Sequence, residues 1–476
     1  MATTETVQKL LVDGEWYETG ETIDVTSPYD GSVVGRVAYG GADDARRAID
    51  AAERAMRQPL PAHKRAAVLD RVAELIAERR DDFARTIAEE AGKPITTAGV
   101  EVDRCVQTIT FSALEARRLS GEMVGMDAHP AGEGKEGLIL RLPVGIIGAI
   151  SPFNFPLNLV AHKVGPAFAA GCAVVLKPAG ATPLSALMLA QAFQDAGQPG
   201  GWLNVIVGKS RDIGDVLTED ARVKMITFTG SSEVGWGIRQ RANKKKVSLE
   251  LGNSTPVIVL ADADLDRAAG AIALNGYAFA GQSCISVQRV YVEDSVHDAL
   301  MERLVPKVEA LKVGDPLDPD TQVGPVIDAD NRDRIKAWID EAVRQGAKLA
   351  AGGELDDSGL LRPTLLDEVS LDMKVSCNEV FGPVVTVARV SGLDQAIEMA
   401  NGTIYGLQAG VFTTNLPAAM RAARELEFGG VTLNEAPTFR ADQMPYGGVK
   451  ESGNTREGPR FAVQEMTEPR MVVIQL

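Results

Sequence analysis

Val144-Gly-Ile-Ile-Gly-Ala-Ile150, Ala173-Val-Val-Leu-Lys177, Leu203-Asn-Val-Ile-Val207 and Met225-Ile-Thr-Phe228 are short apolar runs separated by segments of helical pattern such as Pro183 to Ala196. Leu138-Ile-Leu-Arg141 reads as another strand of the same series. Strand–helix alternation of this kind implies a parallel sheet with helices on both faces. A second series starts at Pro256-Val-Ile-Val-Leu260 and continues through Arg289-Val-Tyr-Val292, a helix from Val296 to Leu311, and Val384-Val-Thr-Val387. A lobe boundary is therefore expected between Leu251 and Pro256. Ahead of the first series, Leu10 to Val34 reads as short strands broken by the turn signals Asp13-Gly14 and Pro28-Tyr29-Asp30-Gly31. Ala42 to Leu119 reads as a helical layer, with Ala66, Val68, Leu69, Val72, Leu75 and Ile76 at three- and four-residue spacing. The chain closes on Val472-Val-Ile-Gln-Leu476, an apolar strand that either pairs across a subunit interface or tucks into its own sheet.

A length of 476 residues suits two large lobes with small appendages. Hydrophobic residues at 45% and charged residues at 24% mark a globular protein with a sizeable core. A net charge of −16 argues against nucleic acid, because phosphate binding needs clustered cations. The same charge repels anionic substrates at long range, so such a substrate would need cations placed in its pocket. Cys105, Cys172, Cys284 and Cys377 are widely spaced, without a Cys-x-x-Cys pair, which speaks against a disulfide framework or a zinc site and fits a reducing cytoplasm. The start, Met1-Ala-Thr-Thr-Glu-Thr6, has no basic region followed by an apolar run, so no signal peptide is read. Val144 to Ile150, the longest apolar stretch, falls far short of the ~20 residues that span a bilayer, and no membrane association is expected.

Three positions carry candidate chemistry. Cys284, in Gly281-Gln-Ser-Cys-Ile-Ser286, lies between a helix-like segment, Asp264 to Ala280, and a strand, on a turn whose small neighbours leave a sulfur approachable. It is either a nucleophile or a small core hydrophobe. Glu250 ends an apolar strand in Val247-Ser-Leu-Glu-Leu-Gly252, where partial burial would raise its pKa toward that of a general base, the alternative being a structural ion pair. Asn154, in Ser151-Pro-Phe-Asn-Phe-Pro156, sits on a proline-stiffened loop after a strand; its amide can donate to a developing oxyanion or merely to a turn. Gly230-Ser-Ser-Glu-Val-Gly235 opens a helix after a strand, where a phosphate can approach backbone N–H groups, but its Gly-x-x-x-x-Gly spacing matches neither the dinucleotide fingerprint nor a P-loop.

Asn154, Lys177-Pro-Ala179, Phe228-Thr-Gly-Ser231, Leu249-Glu-Leu-Gly252, Gly281-Gln-Ser-Cys284, Glu379-Val-Phe-Gly-Pro383 and Pro445-Tyr-Gly-Gly-Val-Lys450 occur in one order over most of the chain. Together they resemble the aldehyde dehydrogenase superfamily, from about Leu11 to the C-terminus. The resemblance implies an α/β fold of two Rossmann-like parallel-sheet lobes with a small β oligomerisation appendage. It places a cofactor lobe at 1–118 and 138–251, a catalytic lobe at 252–440 and oligomerisation strands at 119–137 and 461–476. It implies that Cys284 is the nucleophile, Glu250 the base and Asn154, with the Cys284 backbone N–H, the oxyanion hole. NAD or NADP would lie along Ile150, Ser151, Pro152, Phe153, Lys177, Ala179, Gly180, Gly214, Phe228, Thr229, Gly230, Ser231, Val234 and Leu251, with Glu379 and Phe381 at the nicotinamide end. Where NAD-preferring members often carry a Glu beside the ribose, this chain has Gly180, which removes repulsion against a 2′-phosphate. Asn253 replaces a common second Gly, so altered local packing with retained activity is expected. A homodimer or homotetramer and no resident metal are also implied.

Cys284-Ile-Ser-Val-Gln-Arg-Val290 and Asn434-Glu-Ala-Pro-Thr-Phe-Arg440 through Tyr446 are similar to the branch with lactaldehyde, phosphonoacetaldehyde and sulfolactaldehyde dehydrogenases. That likeness implies a short polar or anionic aldehyde. Arg104 and Arg440 would be pocket cations, unless they pair with acids such as Asp103 and Asp442. Ser283 stands where several relatives that act on phosphorylated substrates have Arg, which favours a hydroxyaldehyde such as lactaldehyde or a short semialdehyde. The alternatives are an enzyme that passes the acyl group to coenzyme A and a non-catalytic binding protein on the same fold.

Overall fold

The computed structural model describes residues 6–476; the part of the leader reading that rests on residues 1–5 lies outside them. In the first lobe, strands Ile146–Ile150, Val174–Lys177, Leu203–Val205, Val223–Thr229 and Lys246–Glu250 run parallel. Their sheet continues antiparallel into the hairpin Leu10–Val12 and Glu15–Tyr17, turned at Asp13-Gly14. Every residue of Ile146–Ile150 is buried, as expected of a central strand covered on both faces. Four helices, from Ala42–Met56 to Ile95–Arg118, fill the expected helical layer. The first of them buries Ala45, Ala48, Ile49, Ala52 and Ala55, the three-and-four spacing of one helical face. Helix Asn158–Ala170 is buried along its whole length and forms the lobe's centre.

The second sheet runs Lys348–Ala351, Thr364–Asp367, Val384–Val390, Val287–Glu293, Thr255–Val259, Gln408–Phe412 and Gly430–Leu433, parallel except for its first pair. The crossing between the two sheets falls between Glu250 and Thr255. No described helix is long and apolar enough to cross a membrane.

Two sequence readings are corrected. Leu138 to Arg141 is a strand, but it belongs to Lys135–Pro143, which pairs antiparallel with Thr467–Gln475 and Glu122–Val124 in a separate three-stranded sheet. A boundary at 138 would cut this strand, whose side chains are mostly half-buried and so lack the two-sided burial of the parallel series. Residues 461–465 are not strand: they end helix Pro459–Glu465, which starts on a proline and packs Ala462 and Val463 into the first lobe's core. After Gly430–Leu433 the chain thus recrosses to the first lobe before entering the small sheet.

Candidate active site

Ile150, Lys177, Thr229 and Glu250 end four neighbouring parallel strands, so they share the carboxyl edge of the first sheet, where ligands bind in open α/β folds. A groove of about 1060 Å³ runs along that edge toward the second lobe. It is lined by every residue expected at the cofactor, from Ile150 through Leu251 to Glu379 and Phe381, and by Asn154, Glu250 and Cys284. At its inner end Cys284 and Glu250 also border a second cavity of about 40 Å³, together with Ser283, Arg104, Arg440, Tyr446 and Glu457. Cys284 and Glu250 therefore stand where a long groove meets a small pocket.

The turn before Cys284 is built under strain. Helix Leu265–Tyr277 ends, and Phe279, Ala280 and Gly281 follow with φ of 51°, 52° and 69°. A β-carbon on Gly281 would lie 2.0 Å from the Gly382 carbonyl oxygen, so only glycine fits there. Left-handed Phe and Ala persist only where the surroundings hold them. Gln282 does part of this, donating to the Phe279 and Pro325 carbonyls and accepting from Ile327 N at 2.8 Å. Asn154 Nδ2 donates to the Gln282 carbonyl at 2.9 Å, tying the Ser151–Leu157 loop of the first lobe to this turn.

Burial pushes the Cys284 thiol up to about 12, against a lowering contact with Tyr446, whose hydroxyl lies 3.0 Å from Sγ. Glu250 is buried with neither carboxylate oxygen hydrogen-bonded. Desolvation and the neighbouring Glu457 carboxylate hold its pKa well above the ordinary carboxylate range. Glu457 goes the opposite way: burial alone would raise it, but Lys163 and Arg440 hold it at about 2. Lys163 Nζ lies 3.3 Å from Glu457 and donates to Thr229 Oγ1 at 2.6 Å. The two neighbouring carboxyl groups thus sit in opposed electrostatic environments.

Both arginines border the small cavity and both have acid partners, but the pairing differs from the sequence expectation. Asp103 is taken by Arg80 at 2.7 Å; Arg104 pairs with Asp442 at 2.9 Å. Arg440 pairs with Glu457, not Asp442, at 3.0 Å, and stacks its guanidinium 3.9 Å from the Tyr446 ring centroid. Its Nε is buried without a partner. Asn253 fills the position of the missing glycine with its amide fully used: Nδ2 donates to Thr255 Oγ1 and the Gln408 carbonyl, and Oδ1 accepts from Leu407 N. Its backbone N–H donates to Glu379 at 2.9 Å.

His162, whose Nε2 lies 3.0 Å from Asp442 Oδ1, escaped the sequence reading, as did Lys163 and Glu457. His162 and Lys163 carried a signal, being adjacent polar residues in the middle of a helix that is otherwise apolar after its first residue, Asn158; Glu457, in a glycine-rich tail, carried none.

A family model described as the aldehyde dehydrogenase family matches residues 16–472. The chain belongs to that family. It is 45% identical over 467 residues to a 3-sulfolactaldehyde dehydrogenase of Priestia aryabhattai, covering 98% of each chain. It is 39% identical over 473 residues to a lactaldehyde dehydrogenase of Methanocaldococcus jannaschii, covering 98% of this chain and 100% of that one. The crystal structure of aldehyde dehydrogenase 21 from Physcomitrella patens, in complex with the reaction product succinate, superposes with a TM-score of 0.96 at 38% identity over 99% of both chains. The expected α/β fold and the expectation of an aldehyde-oxidising enzyme both hold, and the non-catalytic alternative falls.

Proposed function

We propose that this protein oxidises a short polar or anionic aldehyde to its carboxylate with NAD or NADP, through a thioester on Cys284. The observation that carries this reading is the position of Cys284 and Glu250 at the junction of the long groove and the small pocket. The groove fits a dinucleotide: Ser151 Oγ on its wall is buried without a hydrogen-bond partner, and Lys177, also on the wall, donates from Nζ to the Pro178 carbonyl at 2.9 Å. Gly180 has nothing within 4 Å of where a β-carbon would stand, which leaves room for a 2′-phosphate. Bound there, the nicotinamide would accept the hydride from the substrate carbon.

The residues do the rest. Cys284 supplies the sulfur for attack on the aldehyde carbon, and Glu250 takes a proton from the thiol or from the water that later cleaves the thioester. Asn154 spends one amide N–H on Gln282 and has a second, which with the Cys284 backbone N–H can meet the oxyanion. Tyr446 Oη holds the sulfur from the pocket side. Arg440 and Arg104, each paired with an acid, supply the guanidinium groups that border this pocket; 40 Å³ suits a substrate of few heavy atoms. The aldehydes that name two of the relatives, sulfolactaldehyde and lactaldehyde, are short and polar, and succinate, the reaction product bound in the third, is anionic. A screen of short aldehydes for NAD(P)H formation with both cofactors tests this. Aldehydes carrying a sulfonate or carboxylate are expected to show at least about tenfold higher kcat/KM than neutral ones of equal length, as charge-assisted contacts require; equal values would remove the arginines' role.

The small sheet supports a homodimer or homotetramer. Thr467–Gln475 pairs along one edge only, and Met471, Val473 and Ile474 are exposed on it. Such an edge invites continuation by a second chain. Sedimentation should give a dimer or tetramer, and a chain ending at residue 466 should sediment as a smaller species; a monomer for the full chain would contradict this.

A further inference from the structure

We propose that Lys93 is a positioning residue for the oxyanion-binding geometry, its buried ammonium clamping the loop of Asn154 to the turn of Cys284; this rests on the active-site reading above. Lys93 and Glu101 are 0% and 1% exposed. A buried cation is tolerated only when its partners are arranged around it. Lys93 Nζ donates to Glu101 Oε2, while Glu101 Oε1 accepts from the backbone N–H groups of Leu157 and Asn158 at 3.0 and 3.1 Å. Those groups start helix Asn158–Ala170, directly after the Asn154 loop, so the carboxylate caps the helix and fixes where the loop ends.

The other side of the ammonium faces two aromatic rings. Its nitrogen lies 3.7 Å from the Phe155 centroid and 4.5 Å from the Phe279 centroid. Phe155 follows Asn154 in the chain, and Phe279 is the left-handed residue of the turn that leads to Cys284. The two rings come from opposite lobes, and the Asn154–Gln282 hydrogen bond joins the same two segments. One desolvated cation thus holds a helix start, a loop and a strained turn by a charged hydrogen bond and two cation–π contacts. Lys93 borders neither the groove nor the small cavity, so it acts through Asn154 and Cys284 rather than on the substrate. A misplacement of the order of 1 Å between such groups costs about 10²-fold in rate.

The test is a double-mutant cycle on kcat/KM in the full-length enzyme. Asn154→Ala alone is expected to cost about 10²–10³-fold, and Lys93→Met, neutral and of similar shape, about 10²-fold, with unchanged dissociation constants for NAD⁺ and NADP⁺ by fluorescence quenching. Since both act on one geometry, the double variant should fall no more than a few-fold below the poorer single one. A loss equal to the product of the two would overturn the clamp alone. Parental activity in Asn154→Ala would overturn the active-site reading and the clamp with it. Should Lys93→Met fail to fold, Phe279→Leu replaces it in the cycle, keeping the ion pair and losing only the second-lobe ring; about a tenfold loss, non-additive with Asn154→Ala, is expected, and no loss or an additive one overturns the proposal.

Discussion

Cys284→Ala is expected to lower NAD(P)H formation by at least about 10⁴-fold, while cofactor affinity and thermal stability stay near parental values. The size follows from the role: without a sulfur there is no covalent intermediate, and the oxyanion donors have nothing to stabilise. The side chain is small, and its sulfur meets the Tyr446 hydroxyl, so truncation leaves only a slight void and the fold should persist. Stopped-flow NAD(P)H absorbance with a saturating aldehyde reads the effect. Activity within tenfold of the parent would show that the sulfur is not the nucleophile.

Glu250→Gln is expected to separate the two halves of the reaction. Acylation should slow less than deacylation, which should fall by about 10²–10⁴-fold, so that the first equivalent of NAD(P)H forms faster than the turnovers that follow and steady turnover nearly stops. The pH dependence has a definite sign. Burial and Glu457 raise the Glu250 pKa above the ordinary carboxylate range, so its proton-accepting form is gained at a higher pH than for a free carboxyl. Parental kcat should therefore rise with pH through the upper ionisation of the Glu250–Glu457 pair, and this limb should vanish in the Gln variant. Coenzyme A should not restore turnover. An acyl-CoA product formed faster than free acid would overturn hydrolysis as the outcome.

The parallel lobes were legible because apolar runs of strand length alternating with helices leave few other architectures, and the sheet's carboxyl edge then locates Lys177, Thr229 and Glu250 together. Cys284 and Asn154 were legible as a set, since each alone has a bland structural reading. What escaped has physical reasons. Lys135–Pro143 has the composition of a core strand, and only its antiparallel pairing with a segment more than 300 residues later removes it from the first sheet. The acid partners of Arg104 and Arg440 come from the 441–458 return, a stretch without helical or strand periodicity, so spacing could not indicate that Glu457 rather than Asp442 meets Arg440. Tyr446 was visible within a motif, yet its contact with the sulfur depends on how that return folds across the pocket.

The central claim is a covalent acyl group on one sulfur. Rapid acid quench of the Glu250→Gln enzyme during its first turnover, followed by peptide mass spectrometry, tests it most directly. The peptide containing Cys284 should gain the mass of the substrate's acyl group in proportion to the NAD(P)H formed. NAD(P)H formation with that peptide unmodified, or with the acyl group on another residue, would contradict it.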